Sequence, residues 1–201
     1  IEIMAYTSCT TKIAQSISQD CTKPIVGGYT GRGVLIDLSD APTFTVDAQN
    51  PRIITAISLS GSPAPKFIAV DNVWNEAYTG SNTALAADNG RSSFNKTFSF
   101  RIPMRGAGVA KDIVEPLMNS ALGFAVVLEK QDMIGDGSYE IVGYLKGLKT
   151  NEDGIQRNEY ENGGDWTVNM STDEAFAEVV LFDTDYATTK AAFETMLANT
   201  Y

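Results

Sequence analysis

Histidine is absent from all 201 residues, which removes the commonest general base, the usual partner of a catalytic nucleophile and the preferred transition-metal ligand. Carboxylates remain, and the pair Glu159 and Glu161 has the residue types for acid–base work on a sugar. Their setting, NEYENGGD, is polar, and lifting a carboxyl pKa needs burial, so a solvated loop is the expected state. RGAGVAK (Arg105 to Lys111) resembles a phosphate-binding turn, but Lys stands where the dinucleotide fingerprint needs its third glycine and no GK[ST] follows. DMIGDGSYE (Asp132 to Glu140) has calcium-loop residues at positions one, five and six. Ile134 and Gly143 stand where the third and twelfth ligands belong, so a hairpin turn is expected. No catalytic residue, cofactor site or metal site follows from these patterns, and an enzyme is not the expected class.

Two aromatic residues, Trp74 and Tyr78, stand alone in a polar stretch. They either pack back on their own domain or anchor a partner, since aromatics supply much of the energy of interfaces. Cys9 and Cys21 are too few for a disulfide framework and their spacing fits no zinc pattern, so free thiols are expected.

The elements that would position these residues read mainly as strands. After a polar arm over residues 1–24, GVLIDL (Gly33 to Leu38), RIITAISLS (Arg52 to Ser60) and KFIAV (Lys66 to Val70) are short apolar runs bounded by turn residues. Asp71 to Arg91 is rich in turn signals and is expected as a long loop or flexible hairpin. Phe94, Phe98, Phe100 and Ile102 alternate with polar residues, the period of a strand buried on one face. A helix is expected over Val109 to Leu122, with Ile113, Leu117 and Ala121 on one side and Pro116 kinking it. Phe124 to Leu128 and Tyr139 to Leu148 are expected strands joined by the GDG turn. Trp166 to Met170 and Ala177 to Phe182 follow. Thr184 is the expected N-cap of a C-terminal helix over 184–199, with Tyr186, Lys190, Phe193 and Leu197 on one face. The order predicts a single domain: a mainly antiparallel β-sandwich or barrel with one flanking helix, a long extended loop and a C-terminal helix.

Charge is unevenly placed. Glu129 to Asp185 holds 14 of the 25 acids and 4 of the 15 bases, so this segment carries the whole net charge of −10. That concentration predicts one polarised face. A pI near 4.4 argues against nucleic-acid affinity, which rests on Lys and Arg neutralising phosphates. The apolar runs are far too short to cross a bilayer, and a soluble protein is expected. The first residues lack the pattern of a signal peptide, and Met4 is the expected native start.

KPIVGGYTGRGVLIDLSD (Lys23 to Asp40), the phenylalanine strand, PLMNSALGFAVVLE, and YEIVGYLKGLK with GGDWTVNMSTDE together resemble structural proteins of tailed phages and prophages of Bacteroides-type bacteria, major tail tube proteins above all. The resemblance runs from about Lys23 to Phe182. It implies hexameric rings that stack into a tube through which DNA passes without specific binding. It further implies partners such as tape-measure and tail-terminator proteins, and a location in the virion tail after assembly in the host cytoplasm. In similar proteins a long loop between early strands meets the next ring, so 71–91 is the comparable place and Trp74, Tyr78, Asn82 and Arg91 are the expected subunit-interface residues. A head–tail connector or capsid decoration protein is the neighbouring alternative. From another class comes a carbohydrate-binding β-sandwich, with Trp74, Tyr78 and Trp166 as stacking residues.

Overall fold

The computed structural model of the chain describes residues 27–60, 64–71, 80–88, 91–132, 135–157 and 163–201. The strands are β1 (Tyr29–Asp37), β2 (Thr43–Val46), β3 (Ile53–Ser58), β4 (Ile68–Asp71), β5 (Gly80–Asp88), β6 (Arg91–Ile102), β7 (Phe124–Lys130), β8 (Tyr139–Val142), β9 (Lys149–Arg157), β10 (Trp166–Glu174) and β11 (Val180–Leu181). They form two open sheets, one of seven strands in the order β2-β3-β11-β8-β7-β1-β4 and one of four in the order β5-β6-β10-β9. All described pairs are antiparallel except β11 with β3. The architecture is thus mainly β and sandwich-like, without a closed barrel.

Strand periodicity explains the layers. Leu35, Phe124, Val126, Leu128 and Val142 leave one face of the large sheet and meet Phe98, Phe100, Ile102, Val168 and Met170 of the small one. Their neighbours Val34, Ile36, Ala125, Val127, Tyr139 and Ile141 leave the opposite face and meet the C-terminal helix. β7 is therefore covered on both sides, which is why it reads as an unbroken apolar run. β6 belongs to the two-sheet part and alternates instead.

Helical residues close two places. α1 (Ala107–Val109), a π-turn (Ala110–Val114) and α2 (Glu115–Asn119) run end to end and bury Val114 and Leu117 in the inter-sheet core. Pro116 cannot donate to the preceding turn and its ring crowds that turn's carbonyl, and the widened turn lies directly before it. Ala121 lies beyond this segment and is exposed, so the expected helix ends earlier than Leu122. α3 (Tyr186–Ala198) is capped by Asp185, whose Oδ1 accepts from Thr188 N at 2.7 Å; the expected cap, Thr184, sits outside with φ 57°. Thr189, Phe193 and Met196 are its buried residues, and Lys190 faces solvent.

Two expectations need correction. The single strand expected over Tyr139 to Leu148 is broken, because Gly143 (φ 85°) and Gly147 (φ 76°) turn the chain out of the large sheet so that β9 can join the small one. A side chain at Gly143 would lie 2.5 Å from the carbonyl oxygen of Phe124, so the crossing requires glycine. The stretch expected as a long loop or flexible hairpin over 71–91 is, in its described part, a hairpin arm and not a loop: β5 pairs with β6 in an unbroken antiparallel register from Gly80↔Ser99 to Asp88↔Arg91. Residues 72–79 and 89–90 lie outside the described residues.

Candidate functional site

The small sheet carries the features that ask for a partner. β5 is its outer strand, and no charged residue occurs from Gly80 to Ala87. Its cross-strand partners fix which way its side chains point: Asn82 lies opposite Thr97 on the outer face, and Thr83 opposite Lys96 on the inner face. Yet Asn82, Thr83, Ala84 and Leu85 are all exposed, Leu85 to 66%. Among the described residues the strand thus has no partner on its outer edge, and it is exposed on both faces from Asn82 to Leu85. An uncharged, unbulged edge is a ready template for another strand, and folded proteins normally blunt such edges. The other outer strand, β9, is blunted: its register against β10 jumps from Ile155↔Val168 to Thr150↔Met170.

The outer face of this sheet is polar, with few charges. Asn95, Thr97 and Ser99 of β6 lie opposite Asp173, Ser171 and Asn169 of β10. Ser99 Oγ donates to Asn169 Oδ1 at 2.6 Å and Asn95 Nδ2 to Asp173 Oδ1 at 3.0 Å. The charged residues described here, Arg101, Lys149 and Asp173, are of both signs.

The inner face holds a buried ion cluster. Lys96, fully buried between Phe94 and Phe98 along β6, points across the sandwich at Glu140 of β8, with Nζ 3.5 Å from Oε1. Ser81 donates to the Tyr29 hydroxyl (2.7 Å), which donates to Glu140 Oε2 at 2.5 Å. Burial and the neighbouring Glu140 carboxylate push the Tyr29 phenol far above its ordinary range, so it stays a donor. Lys130 Nζ lies 3.6 Å from the same oxygen and donates to Glu178 Oε1 at 2.5 Å. Burial works against its charge, but the Glu178 hydrogen bond and the Glu140 carboxylate outweigh it and hold the amine above the usual lysine range. Glu174 of β10 completes the group. Its Oε1 accepts from Gly143 N at 2.9 Å, its Oε2 has no hydrogen bond among the described residues, and burial raises its carboxyl pKa.

On the far side of the large sheet Arg32 joins Glu129 (3.2 Å) and both oxygens of Glu194 (2.8 Å each), and so ties α3 to β1 and β7. A cavity of about 390 Å³ between β4 and α3 is lined by Arg32, Glu194, Val70 and Leu197, and its cation is already held by two carboxylates. Among the described residues no cluster of three or more Asp, Glu or Cys is placed to hold a metal ion, and no described helix is long and apolar enough to cross a membrane.

The residues singled out in the sequence fall as follows. Asn82 stands on the exposed part of β5 and Arg91 opens β6 opposite Asp88. Trp74, Tyr78, Cys9, Cys21, Glu159 and Glu161 lie outside the described residues. Trp166 packs against the inter-sheet core with the Arg157 guanidinium 5.7 Å over its ring, so its face is not free for a sugar. The polarised acidic face does not hold for Glu129, Glu140 and Glu174, which are buried in internal contacts, the first with Arg32 and the other two in the cluster around Lys96. Lys96 was not legible as a core residue; its place between Phe94 and Phe98 on the apolar side of the alternation was the available signal. No protein-family model, curated protein or solved structure matches the chain.

Proposed function

We propose that this chain is a non-enzymatic structural subunit of a tailed-phage virion, a tail tube protein whose copies close into rings and stack into a DNA-conducting tube. The observation that carries the reading is β5, a nine-residue strand uncharged from Gly80 to Ala87, unpaired on its outer edge among the described residues and exposed on both faces from Asn82 to Leu85. A second copy supplies what that strand lacks. Joining the β5 edge of one subunit to the β9 edge of the next consumes both edges of the small sheet, and such a head-to-tail contact closes into a ring when its rotation divides a full turn. The β9 bulge confines the pairing to the regular residues beside it, such as Ile155 to Arg157.

The ring would place the outer face of the small sheet around its lumen. Hydroxyl and amide side chains with a few charges of both signs give phosphates no cationic track, which suits passage without retention. Tape-measure and terminator proteins are the natural partners of such a tube. The test is electron microscopy of the purified chain concentrated at low and high salt. Rings or tubes are expected; single subunits under every condition would overturn the reading.

A further inference from the structure

Lys96 and Glu140 face each other across the buried interior between the sheets. The lysine is 0% exposed, its Nζ makes no hydrogen bond among the described residues, and the nearest carboxylate oxygen is Glu140 Oε1 at 3.5 Å. A second carboxyl, Glu174, is buried near enough to feel the charges of both, and its Oε2 makes no hydrogen bond among the described residues. A buried ion pair is costly to hold, because both charges have lost their water. Amine, carboxyl and a spare proton carrier enclosed together are instead the components of an amide.

We propose that Lys96 and Glu140 condense into an intramolecular isopeptide bond, Nζ to Cδ, that ties β6 of the small sheet to β8 of the large one. The balance is closed without a co-reactant. Ammonium and carboxylate enter; one amide and one water leave. Glu174 first takes a proton from Nζ, and the freed lone pair attacks Cδ of Glu140. Charge then gathers on Oε2, where the Tyr29 hydroxyl already donates at 2.5 Å. The Cδ–Oε1 bond breaks with its electron pair on Oε1, which departs as water carrying two of the three ammonium protons. The third stays on the amide nitrogen, and Oε2 remains as the amide oxygen under Tyr29.

The neighbours favour this bond over others. Lys130 also lies near Glu140, but it is held as a cation by Glu178 and its side chain is partly exposed. Burial raises the proton affinity of the Glu174 carboxylate, so it is a stronger base than an exposed one and can receive the Nζ proton before returning it to the departing oxygen. Enclosure among Phe98, Val142 and Thr172 keeps out the water that would reverse the step. The bond is independent of the assembly reading and would form in a single subunit.

The test is the intact mass of the purified, fully denatured chain, followed by peptide mapping. The wild type is expected one water lighter than its sequence mass, with a branched peptide joining Lys96 to Glu140. Lys96→Arg keeps the ion pair but loses the nucleophile, and it is expected at its full sequence mass; the same loss in this variant would place the dehydration elsewhere and overturn the proposal. Glu174→Gln retains both reactants and is expected to join about 100-fold more slowly or worse, as removal of a general acid–base predicts. Joining at the wild-type rate would overturn the role of Glu174. Wild type at full mass, with Lys96 and Glu140 recovered in separate unmodified peptides, would overturn the bond itself.

Discussion

Replacing Gly143 by alanine tests the crossing between the two sheets. The residue has φ 85°, a conformation that costs an L side chain about 1–2 kcal/mol. The added Cβ would also lie 2.5 Å from Phe124 O and 3.0 Å from Leu148 N, both backbone atoms that cannot swing aside. Relief requires parting Phe124 from Leu148, which now exchange hydrogen bonds of 3.0 and 2.7 Å. At about 0.5–1.5 kcal/mol each, those bonds bring the expected loss to about 2–5 kcal/mol. Gly135 is the control, because its φ is 78° but a Cβ there meets nothing within 4 Å. Gly135→Ala should lose the conformational part alone, about 1–2 kcal/mol. Urea unfolding of the two variants with unchanged slopes reads the difference directly. Equal midpoint shifts would refute the claim that close approach of backbone, not φ alone, requires glycine at 143.

Phe193→Ala should cost about 3–5 kcal/mol in the same assay, since Phe193 is fully buried and packs on Tyr139 at 4.9 Å between ring centroids; a loss below about 1 kcal/mol would mean that α3 is not docked as described. The Asp185 carboxyl is held below its ordinary value by the hydrogen bonds from Thr188, so its stabilising effect is present above the unfolded value and fades as pH falls through the folded one. Asp185→Ala should therefore lower the urea midpoint at neutral pH and match wild type in strong acid, and a difference that persists there would contradict the capping role. Glu174 has the opposite sign: its folded pKa is raised by burial, so its charged form opposes folding above the unfolded value. Glu174→Gln should then flatten a gain in stability that wild type shows as pH falls toward that value, and an unchanged pH profile would count against burial of the charge.

The legible parts of the fold were those whose burial has a simple period. Phe98, Phe100 and Ile102 face one core and their neighbours face outward, so β6 stood out. β5 did not, because GSNTALAAD combines small and turn-forming residues; pairing with β6, not intrinsic preference, makes it a strand. Gly143 interrupts no apolar pattern, since Ile141, Val142 and Leu148 are buried on either side of the break. The Asp185 cap was displaced by one residue because Thr184 and Asp185 are both good caps and the backbone conformation at 184 decides between them. The ion cluster was invisible for a different reason. Lys96, Glu140 and Glu174 are brought together only by the packing of the sheets, and counting charge along the chain treats each as if it met water.

The central claim is that the open β5 edge joins one copy to the next, and the most direct measurement is electron microscopy of wild type beside the double variant Ala84→Lys, Leu85→Lys. These positions are exposed on opposite faces of the strand, so the new charges should guard the edge without disturbing the core. Wild type should form rings and stacked tubes, and the variant should remain as single subunits with an unchanged urea midpoint. Tubes formed equally well by the variant would contradict the claim.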